Sequence, residues 1–237
     1  MSASRETVAA VVERFDVPDP AGTTDAIARL LAALAAEPDP PTTVREPAAA
    51  LEAHVADSLS GLSIPELRTA HRIADLGAGA GFPGLVLAAA LPGAQVDLVE
   101  SARRKCEVID RMAAAAGLQE RARALPVRAE DLARNARGAY DAVTARALAP
   151  LSVICEYAAP LLRHGGTLLA WKGARRPAEE EAGTRAAVEL GLDTPKVLES
   201  SPFPGADRLH LYVYSKVTET PAKYPRRSGM ARKKPLG

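Results

Sequence analysis

Apolar and polar positions along this chain predict different structures before and after residue 70. From His71 onward, short apolar runs typical of buried strands are separated by segments whose apolar positions have helical spacing. This alternation is typical of a mainly parallel sheet with helices on both faces. The predicted strands are residues 73–76, 95–100, 125–127, 140–144, 167–171, 196–200 and 209–217, and the predicted helices are 102–116, 151–162 and 179–190. The last two strands have no helix between them, which favours a reversed strand at the end of the sheet.

The segment before residue 70 contains only helical patterns. Apolar positions over 6–15, 25–36 and 43–62 predict helices that proline-containing segments separate. We therefore expect a helical cap over residues 1–68, a Rossmann-like sheet domain over 69–218 and a basic tail over 219–237.

The first predicted strand runs into a glycine-rich turn, which an alanine-rich segment follows. Its glycines permit positive φ angles and close approach of the backbone to a ligand. The subset Gly79-x-Gly81-x-x-Gly84 also satisfies the fingerprint of dinucleotide-binding proteins, so the glycines alone do not identify the ligand. A turn that is glycine-rich only for tight packing of helix on strand is the alternative.

Asp75, just before the first glycine, distinguishes between these ligands by its charge. A pyrophosphate bound at the N-terminus of the following helix would lie close to this carboxylate and be repelled. S-adenosylmethionine carries no phosphate, and its ammonium and sulfonium groups are positive. The pattern Asp75-x-Gly77-x-Gly79-x-Gly81 resembles the first motif of class I methyltransferases, so Asp75, Gly77 and Gly79 are candidate cofactor-binding residues.

Charged residues follow the second predicted strand. Glu100 ends that strand about twenty residues after the glycine turn, where an acid typically accepts the ribose hydroxyls of a ligand. Capping of the helix that begins near Ser101 is an alternative role, and the two can coexist. Arg103, Arg104 and Lys105 lie in the first turn of this helix, where cations oppose the helix dipole. They therefore need a partner such as an acid, the cofactor or a phosphate.

The ends of the third and fourth strands complete the predicted ligand site. Residues 128–131 follow the third strand, where a backbone N–H and one acceptor can read an adenine ring. Arg146 ends the fourth strand, in the expected ligand crevice. It can neutralise a cofactor carboxylate, hold a substrate base or its phosphate, or form a surface salt bridge, and the sequence leaves these roles open.

Two features that the sequence lacks narrow the choice of the atom that accepts the methyl group. The fourth strand ends in Thr144-Ala145-Arg146-Ala147 rather than the Asn-Pro-Pro-Tyr or Asp-Pro-Pro-Tyr of enzymes that methylate an exocyclic amine. Methylation of carbon 5 of a pyrimidine requires a nucleophilic cysteine, and neither Cys106 nor Cys155 ends a predicted strand. A ring nitrogen with its own lone pair, such as guanine N7, remains, and proximity and orientation can then supply the catalysis.

Length and composition agree with one α/β domain and a smaller appendage. The chain has 237 residues, of which 47% are hydrophobic. Its two cysteines form no paired framework, and no apolar run is long enough to cross a bilayer. We therefore expect two core thiols in a cytoplasmic, monomeric protein that binds no metal and no membrane.

The net charge of +1 conceals an uneven distribution of charge. Residues 1–60 contain ten acidic and four basic side chains, whereas 216–237 contain seven basic side chains and one acidic one. A basic tail favours a polyanionic partner, and a tail that only aids solubility is the alternative. Pro225, Gly229 and Pro235 predict an extended strip rather than a regular helix, separate from the fold and from the cofactor site.

Several motifs follow one another in a specific order. They are His54-x-x-Asp57-Ser58-Leu59, Asp75 to Gly84, Arg128-Ala129-Glu130, Thr144-Ala145-Arg146-Ala147, Lys172-Gly173 and the tail motif from Tyr224 to Leu236. Together they resemble the ribosomal small-subunit methyltransferase G (RsmG/GidB) family over nearly the whole chain. The resemblance implies the class I S-adenosylmethionine-dependent methyltransferase fold, with a seven-stranded, mainly parallel sheet. It also implies methylation of N7 of one guanine in the decoding-region loop of 16S rRNA, in naked RNA or in the small ribosomal subunit.

The resemblance assigns roles to individual residues. Cofactor contacts are implied for Gly77, Phe82, Ala129, Glu130 and Arg146. Arg146 is also the candidate catalytic residue. RNA contacts are predicted for basic residues of three segments: Arg103, Arg104, Lys105, Lys172, Lys223, Arg226, Arg227, Arg232, Lys233 and Lys234. His54 is a candidate ligand or base, but a histidine three residues before an acid is more often half of a surface pair.

Two other classes of protein fit parts of the pattern. An NAD(P)-binding oxidoreductase fits the glycine fingerprint, but Asp75 and the paired terminal strands count against it. A non-catalytic RNA-binding or ribosome-assembly factor fits the basic tail and the lack of an obvious catalytic base.

Overall fold

A seven-stranded sheet forms the centre of the computed structural model, which describes residues 4–44 and 46–237. Residues 1–3 and position 45, which fall within the predicted cap, lie outside the described residues. The strands are β1 (Arg72–Leu76), β2 (Gln95–Val99), β3 (Ala122–Leu125), β4 (Tyr140–Arg146), β5 (Leu162–Lys172), β6 (Lys196–Ser200) and β7 (Leu209–Ser215). Their order across the sheet is β3-β2-β1-β4-β5-β7-β6.

The directions of the strands match the predicted fold class. β1 pairs in parallel with β2 and β4, β2 with β3, and β4 with β5. β7 is antiparallel to both β5 and β6, and is therefore the reversed strand. The prediction of a mainly parallel sheet with a reversed strand among its last two is confirmed.

Helices flank the sheet and form the cap. Those of the cap are α1 (Arg5–Val12), α2 (Pro20–Ala36), α3 (Pro47–Ala50), α4 (Asp57–Ser60) and α5 (Pro65–Arg68). Those of the sheet domain are α6 (Gly84–Ala90), α7 (Arg103–Ala116), α8 (Ala129–Asn135), α9 (Leu151–Ala158) and α10 (Pro177–Glu189). The C-terminal segment, residues 220–237, adds α11 (Met230–Lys233).

The predicted third helix of the cap is a series of short helical turns. α3 begins at Pro47, which suits a first helical position because its missing N–H has no partner there. It continues into a π-helical turn (Leu51–Ala56), α4 and a 3₁₀ turn (Gly61–Ser63). π turns inside helices are frequent at functional sites, and this one carries His54.

Several predicted elements have different bounds in the structure. β3 ends at Leu125, whereas the sequence predicted a strand over 125–127, because Pro126 has no N–H for a further sheet hydrogen bond. The sequence also missed α8, which begins with acidic residues and ends near Arg134, as the helix dipole favours. The helix predicted over 151–162 ends at Ala158, and β5 begins at Leu162 rather than at residue 167.

Two hydrophobic clusters stabilise the fold. The first joins the cap to α6 and α7 and contains Ile27, Leu59 and Leu85, none of which has exposed surface. The second contains side chains of α9 and α10, including Ile154 and Ala187. Because each fully buried aliphatic side chain contributes about 1.5–3 kcal/mol, the first cluster holds the cap to the sheet domain, and the second holds α9 and α10 to the sheet.

The C-terminal segment belongs to the fold, so the prediction of a separate, extended strip is wrong. Tyr224 and Ala231 are 4% and 1% exposed and belong to the second hydrophobic cluster. Residues 230–233 form α11 despite the neighbouring glycine and proline. The prediction used local composition, whereas the partners of this segment lie far away in the sequence.

Candidate active site

A cavity of about 420 Å³ opens at the carboxyl ends of β1, β2 and β4. Ligands of open α/β sheets bind at this edge. All the residues predicted to bind the cofactor, except Asp75, line the cavity: Gly77, Gly79, Phe82, Glu100, Ala129, Glu130 and Arg146.

The backbone of the glycine turn forms one wall. Gly77 and Gly79 have φ angles of 67° and 57°, in the left-handed region that favours glycine. A Cβ atom at position 77 would lie 2.5 Å from Leu148 Cδ1, whereas one at position 79 would meet only Gly77 O, at 3.8 Å. Gly79 therefore faces open space, as expected of a backbone that a ligand approaches.

Asp75 lies behind the turn, which corrects the prediction that its carboxylate contacts the cofactor. The residue is fully buried, and its Oδ2 accepts a hydrogen bond from Gly84 N at 2.9 Å. Its Oδ1 accepts a second one from Thr144 Oγ1, also at 2.9 Å. Burial raises the pKa of Asp75 to about 6. The carboxylate thus positions the turn by holding the first N–H of α6.

Glu100 caps the start of α7, which is one of the two roles that the sequence left open, and its contact with a ribose stays a prediction. Its Oε1 accepts a hydrogen bond from Ala102 N at 2.9 Å, at the start of α7, and its Oε2 accepts one from Gly79 N at 3.3 Å. Lys105 Nζ lies 3.9 Å from Oε2. Backbone N–H groups therefore fix the carboxylate, and its remaining lone pairs can accept ligand hydroxyls.

The start of α8 and part of the C-terminal segment form another wall. Ala129 and Glu130 both line it, and Glu130 Oε1 accepts a hydrogen bond from Gly229 N at 2.7 Å. Arg232 also lines the cavity, and its guanidinium donates to Leu148 O at 2.9 Å. The C-terminal segment therefore reaches the candidate cofactor site, contrary to the prediction that it stays apart.

Arg146 connects β4 to the helical cap. Its guanidinium donates to Asp57 Oδ2 at 2.8 Å and to Ala53 O at 3.0 Å. The side chains of this ion pair are only 15% and 10% exposed, so it lies inside the protein rather than on the surface. Asp57 Oδ1 is buried without a hydrogen-bond partner among the described residues, and burial raises the pKa of Asp57. Losing Arg146 would leave a buried carboxylate without a counter-charge.

His54 stacks on Phe82 at the cavity, with ring centroids 4.5 Å apart and planes 8° from parallel. Thr42 Oγ1 lies 3.0 Å from its Nε2, and an Arg146 nitrogen lies 3.4 Å from its Nδ1. Burial, together with the Arg146 charge, lowers the pKa of His54 to about 4, so the ring is neutral at pH 7. The interpretation of His54 and Asp57 as a surface pair is wrong, because both are buried beside Arg146.

The basic residues predicted to bind RNA fall into two groups. In the first, a carboxylate of the protein lies within ion-pair distance: Arg104 with Asp39, Lys105 with Glu100, Lys172 with Glu179, Lys223 with Glu189, and Arg226 with Glu156. In the second, the residue is exposed and forms no ion pair within the described part of the chain: Arg103, Arg227, Arg232, Lys233 and Lys234. The positive charges of the second group are therefore more accessible to a polyanion than those of the first.

Some residues of the cavity carried no prediction. Thr42 of the cap and Tyr157 of α9 line it, as do Ala147 and Leu148. Ala147 has a φ angle of 52°, which is uncommon for alanine. The position directly after β4 was a usable signal for Ala147 and Leu148. Nothing in the sequence around Thr42 or Tyr157 indicates that folding brings them here.

Cys106 and Cys155 are buried free thiols, which confirms the predicted core thiols, and burial raises the pKa of Cys155 to about 12. Within residues 4–44 and 46–237, no group of three or more His, Cys, Asp or Glu side chains is placed to hold a metal ion. No helix in those ranges has both the length and the hydropathy that a membrane span needs.

Comparison with known proteins identifies close relatives. Residues 41–201 match the model of a family described as rRNA small subunit methyltransferase G. The ribosomal RNA small subunit methyltransferase G of Rubrobacter xylanophilus is 41% identical over 197 residues, which are 81% of this chain and 75% of that protein. The protein of the same name from Deinococcus deserti is 43% identical over 186 residues, or 77% of this chain and 75% of that protein.

Solved structures of lower identity share the fold. A SAM-dependent O-methyltransferase from Thermotoga maritima is 19% identical, with a TM-score of 0.54 over 68% of this chain and 66% of that one. Fibrillarin from Aeropyrum pernix, with natively bound S-adenosyl-L-methionine, is 18% identical, with a TM-score of 0.51 over 68% of this chain and 72% of that one. The predicted class I methyltransferase fold is therefore confirmed.

Proposed function

This chain belongs to the rRNA small subunit methyltransferase G family, and on that premise we propose that it transfers a methyl group from S-adenosylmethionine to 16S rRNA. We further propose that the acceptor is N7 of one guanine in the decoding-region loop. The cavity is the main support for the proposal, because the glycine turn, Glu100, Glu130 and Arg146 all line it.

The hydrogen bonding of Asp75 supports this cofactor over a dinucleotide. In dinucleotide-binding proteins, the helix after the glycine turn presents its N-terminal N–H groups to a pyrophosphate. Here Gly84 N, the first of α6, already donates to Asp75, and a second negative charge nearby would be repelled. An adenosine with a cationic sulfonium and no phosphate meets no such repulsion, so the oxidoreductase alternative is not favoured.

The residues of the cavity fit the parts of S-adenosylmethionine. Glu100, fixed by two backbone N–H groups, retains lone pairs for the ribose hydroxyls. Ala129 and Glu130 supply a backbone N–H and an acceptor for the adenine ring. The turn at Gly79 gives the methionine part close access to the backbone, because a Cβ there would meet only Gly77 O, at 3.8 Å. The bound cofactor supplies an electrophilic methyl group.

The acceptor nitrogen needs orientation rather than activation. Guanine N7 has its own lone pair, so the reaction requires no general base. Burial lowers the pKa of His54 to about 4, so its ring is a weak proton acceptor, and neither buried thiol lines the cavity. We propose that the protein's contribution is to hold the base near Arg146 and the stacked pair of His54 and Phe82, with catalysis by proximity and orientation.

RNA binding is proposed for the exposed basic residues that form no ion pair within the described part of the chain. Arg103 lies in the first turn of α7, next to Lys105 of the cavity wall, and Arg232 lines the cavity from the C-terminal segment. Arg227, Lys233 and Lys234 extend this charge outward. Phosphate groups on both sides of the target nucleotide can therefore be neutralised.

The test is transfer of a labelled methyl group to 16S rRNA and to small ribosomal subunits that lack the modification. Nucleoside mass spectrometry should find 7-methylguanosine at one position, and Gly79→Leu should serve as the inactive control. A label on another atom would contradict the N7 assignment. If the chain binds S-adenosylhomocysteine and RNA but transfers no methyl group to either substrate, the non-catalytic assembly factor becomes the better description.

A further inference from the structure

The C-terminal segment, residues 220–237, is held to the domain by polar contacts that are partly or fully buried. Arg226 donates from Nε and Nη2 to the two oxygens of Glu156, at 2.8 and 2.5 Å. Glu156 is fully buried on α9, so this bidentate pair neutralises a charge that water cannot reach. The hydroxyl of Tyr224 donates to Glu189 Oε1 at 2.5 Å. A tail that only aids solubility does not need such contacts.

The same segment is tied to α8 and the loop that follows it. Arg137 donates to Tyr224 O at 2.8 Å, and Arg134 donates to Arg226 O at 3.3 Å. Ser228 Oγ donates to Asp131 Oδ1 at 2.8 Å. The position of α8 therefore depends on the C-terminal segment, and α8 carries Glu130 into the cavity.

One hydrogen bond connects the segment directly to the candidate cofactor site. Gly229 N donates to Glu130 Oε1 at 2.7 Å, from a left-handed backbone conformation with φ of 83°. No donor among the described residues contacts Oε2, so that oxygen can accept from a ligand. Three residues further on, Arg232 brings a cation to the cavity wall beside Tyr157.

We propose that the C-terminal segment is a positioning element of the cofactor site, which orients Glu130 through Gly229 N and whose docking is coupled to cofactor binding. The segment lies beyond residues 41–201, which match the family model. The inference rests on the proposed function, because it assumes that S-adenosylmethionine occupies this cavity. By thermodynamic linkage, the cofactor must favour the docked segment as strongly as the docked segment favours the cofactor.

The first test uses the unmodified chain. Hydrogen exchange of the Gly229 amide is measured with and without saturating S-adenosylhomocysteine. Coupling predicts exchange that is about tenfold slower with the ligand, within the usual range of allosteric coupling. Unchanged exchange at Gly229, in a chain that binds the ligand by calorimetry, would contradict the inference.

The second test compares two alanine variants. Gly229→Ala and Gly205→Ala both place a Cβ where nothing lies within 4 Å, and both strain a backbone with φ of 83° or 86°. Only Gly229 contacts Glu130, so only Gly229→Ala should weaken S-adenosylhomocysteine binding, by about fivefold or more. Equal affinities of the two folded variants would refute the inference. If the unmodified chain binds no S-adenosylhomocysteine, the proposed function fails, and this inference fails with it.

Discussion

Gly79 and Gly138 have nearly the same backbone conformation in different surroundings. Their φ angles are 57° and 65°, but Gly79 lines the cavity, whereas Gly138 lies just before β4, where an added Cβ would meet no atom within 4 Å. Leucine at either position strains the backbone by about 1–2 kcal/mol, because L residues avoid the left-handed region. Only Gly79→Leu also places a side chain where the cofactor is proposed to lie.

We therefore expect Gly79→Leu to weaken S-adenosylhomocysteine binding by at least about fivefold, since overpacking typically costs 1–3 kcal/mol. Gly138→Leu should lose similar stability but keep its affinity. Calorimetry on both folded variants checks this. Equal affinities would show that the glycine turn does not face the cofactor.

Asp75 makes the free energy of unfolding depend on pH. Its pKa rises from 3.8 to about 6 on folding, so the folded state holds this proton more tightly. Protonated Asp75 therefore adds its full contribution to the free energy of unfolding below about pH 4, and this contribution is lost as the pH rises through about 6. In Asp75→Asn, the amide oxygen can still accept from Gly84 N, and no charge is buried.

The stability of Asp75→Asn relative to the unmodified chain should therefore increase between about pH 4 and pH 7, by up to about 3 kcal/mol. Urea unfolding of both proteins across this range measures the difference, and all groups common to the two cancel. A constant difference would mean that Asp75 titrates normally, in a more hydrated position than the structure shows.

At the scale of elements, one ion pair joins β4 to the helical turns of the cap. Arg146→Gln leaves Asp57 buried without a counter-charge, which should cost about 3–5 kcal/mol. Asp57→Asn in the same chain should restore part of that loss, because the uncompensated charge is gone. Urea unfolding of the single and double variants gives the coupling energy.

Arg163→Gln is the matched control for this pair. Its partner is Asp141, which also belongs to β4, but Arg163 is 55% exposed, so the loss should stay below about 1 kcal/mol. Similar losses for Arg163→Gln and Arg146→Gln would mean that the cap is not held by a buried charge pair.

Strands, helices and turns were predictable where the local pattern of apolar residues and glycines matches the contacts that the segment makes in the fold. The apolar residues of β1 and the glycines after it identified the strand, the turn and the side of the sheet where ligands bind. The direction of the Asp75 side chain was not predictable, because it depends on where Gly84 N lies after folding. His54 likewise gave no signal of burial, since its partners Phe82 and Arg146 are distant in sequence.

At the scale of the whole molecule, the C-terminal segment shows the limit of composition as evidence. Its basic residues were evident in the sequence, but Arg226 and Lys223 pair with Glu156 and Glu189 of other helices. Local composition is the same whether a segment docks or stays free. Only the fold shows which charges remain exposed for a partner.

The exposed charges predict how RNA binding responds to salt. If about four to six phosphates are contacted, the logarithm of affinity should fall with the logarithm of salt concentration with a slope of about −3 to −4. Replacing Lys233 and Lys234 by glutamine should make the slope shallower by about 1.4, at about 0.7 per contact. Filter binding of the single-stranded target RNA at several salt concentrations measures both slopes.

Lys196→Gln, on the edge strand β6, is the control for this measurement. It removes one positive charge far along the sheet from the cavity, so the slope should not change. If Lys196→Gln made the slope shallower and the replacement of Lys233 and Lys234 did not, the RNA would have to bind at the other end of the sheet.

The hydrogen bond between Asp75 and Gly84 also bears on competition inside a cell. ATP shares its adenosine with S-adenosylmethionine and is abundant, so a pocket that recognised adenosine alone would be occupied by it. Because the buried carboxylate has taken the N–H that a phosphate would use, triphosphate binding gains nothing there and meets like charge instead. Burial raises the pKa of Asp75 to about 6, so the carboxylate is negatively charged above that pH, and ATP should displace S-adenosylhomocysteine poorly there. Below that pH Asp75 becomes protonated and loses its charge, so ATP should displace the ligand better.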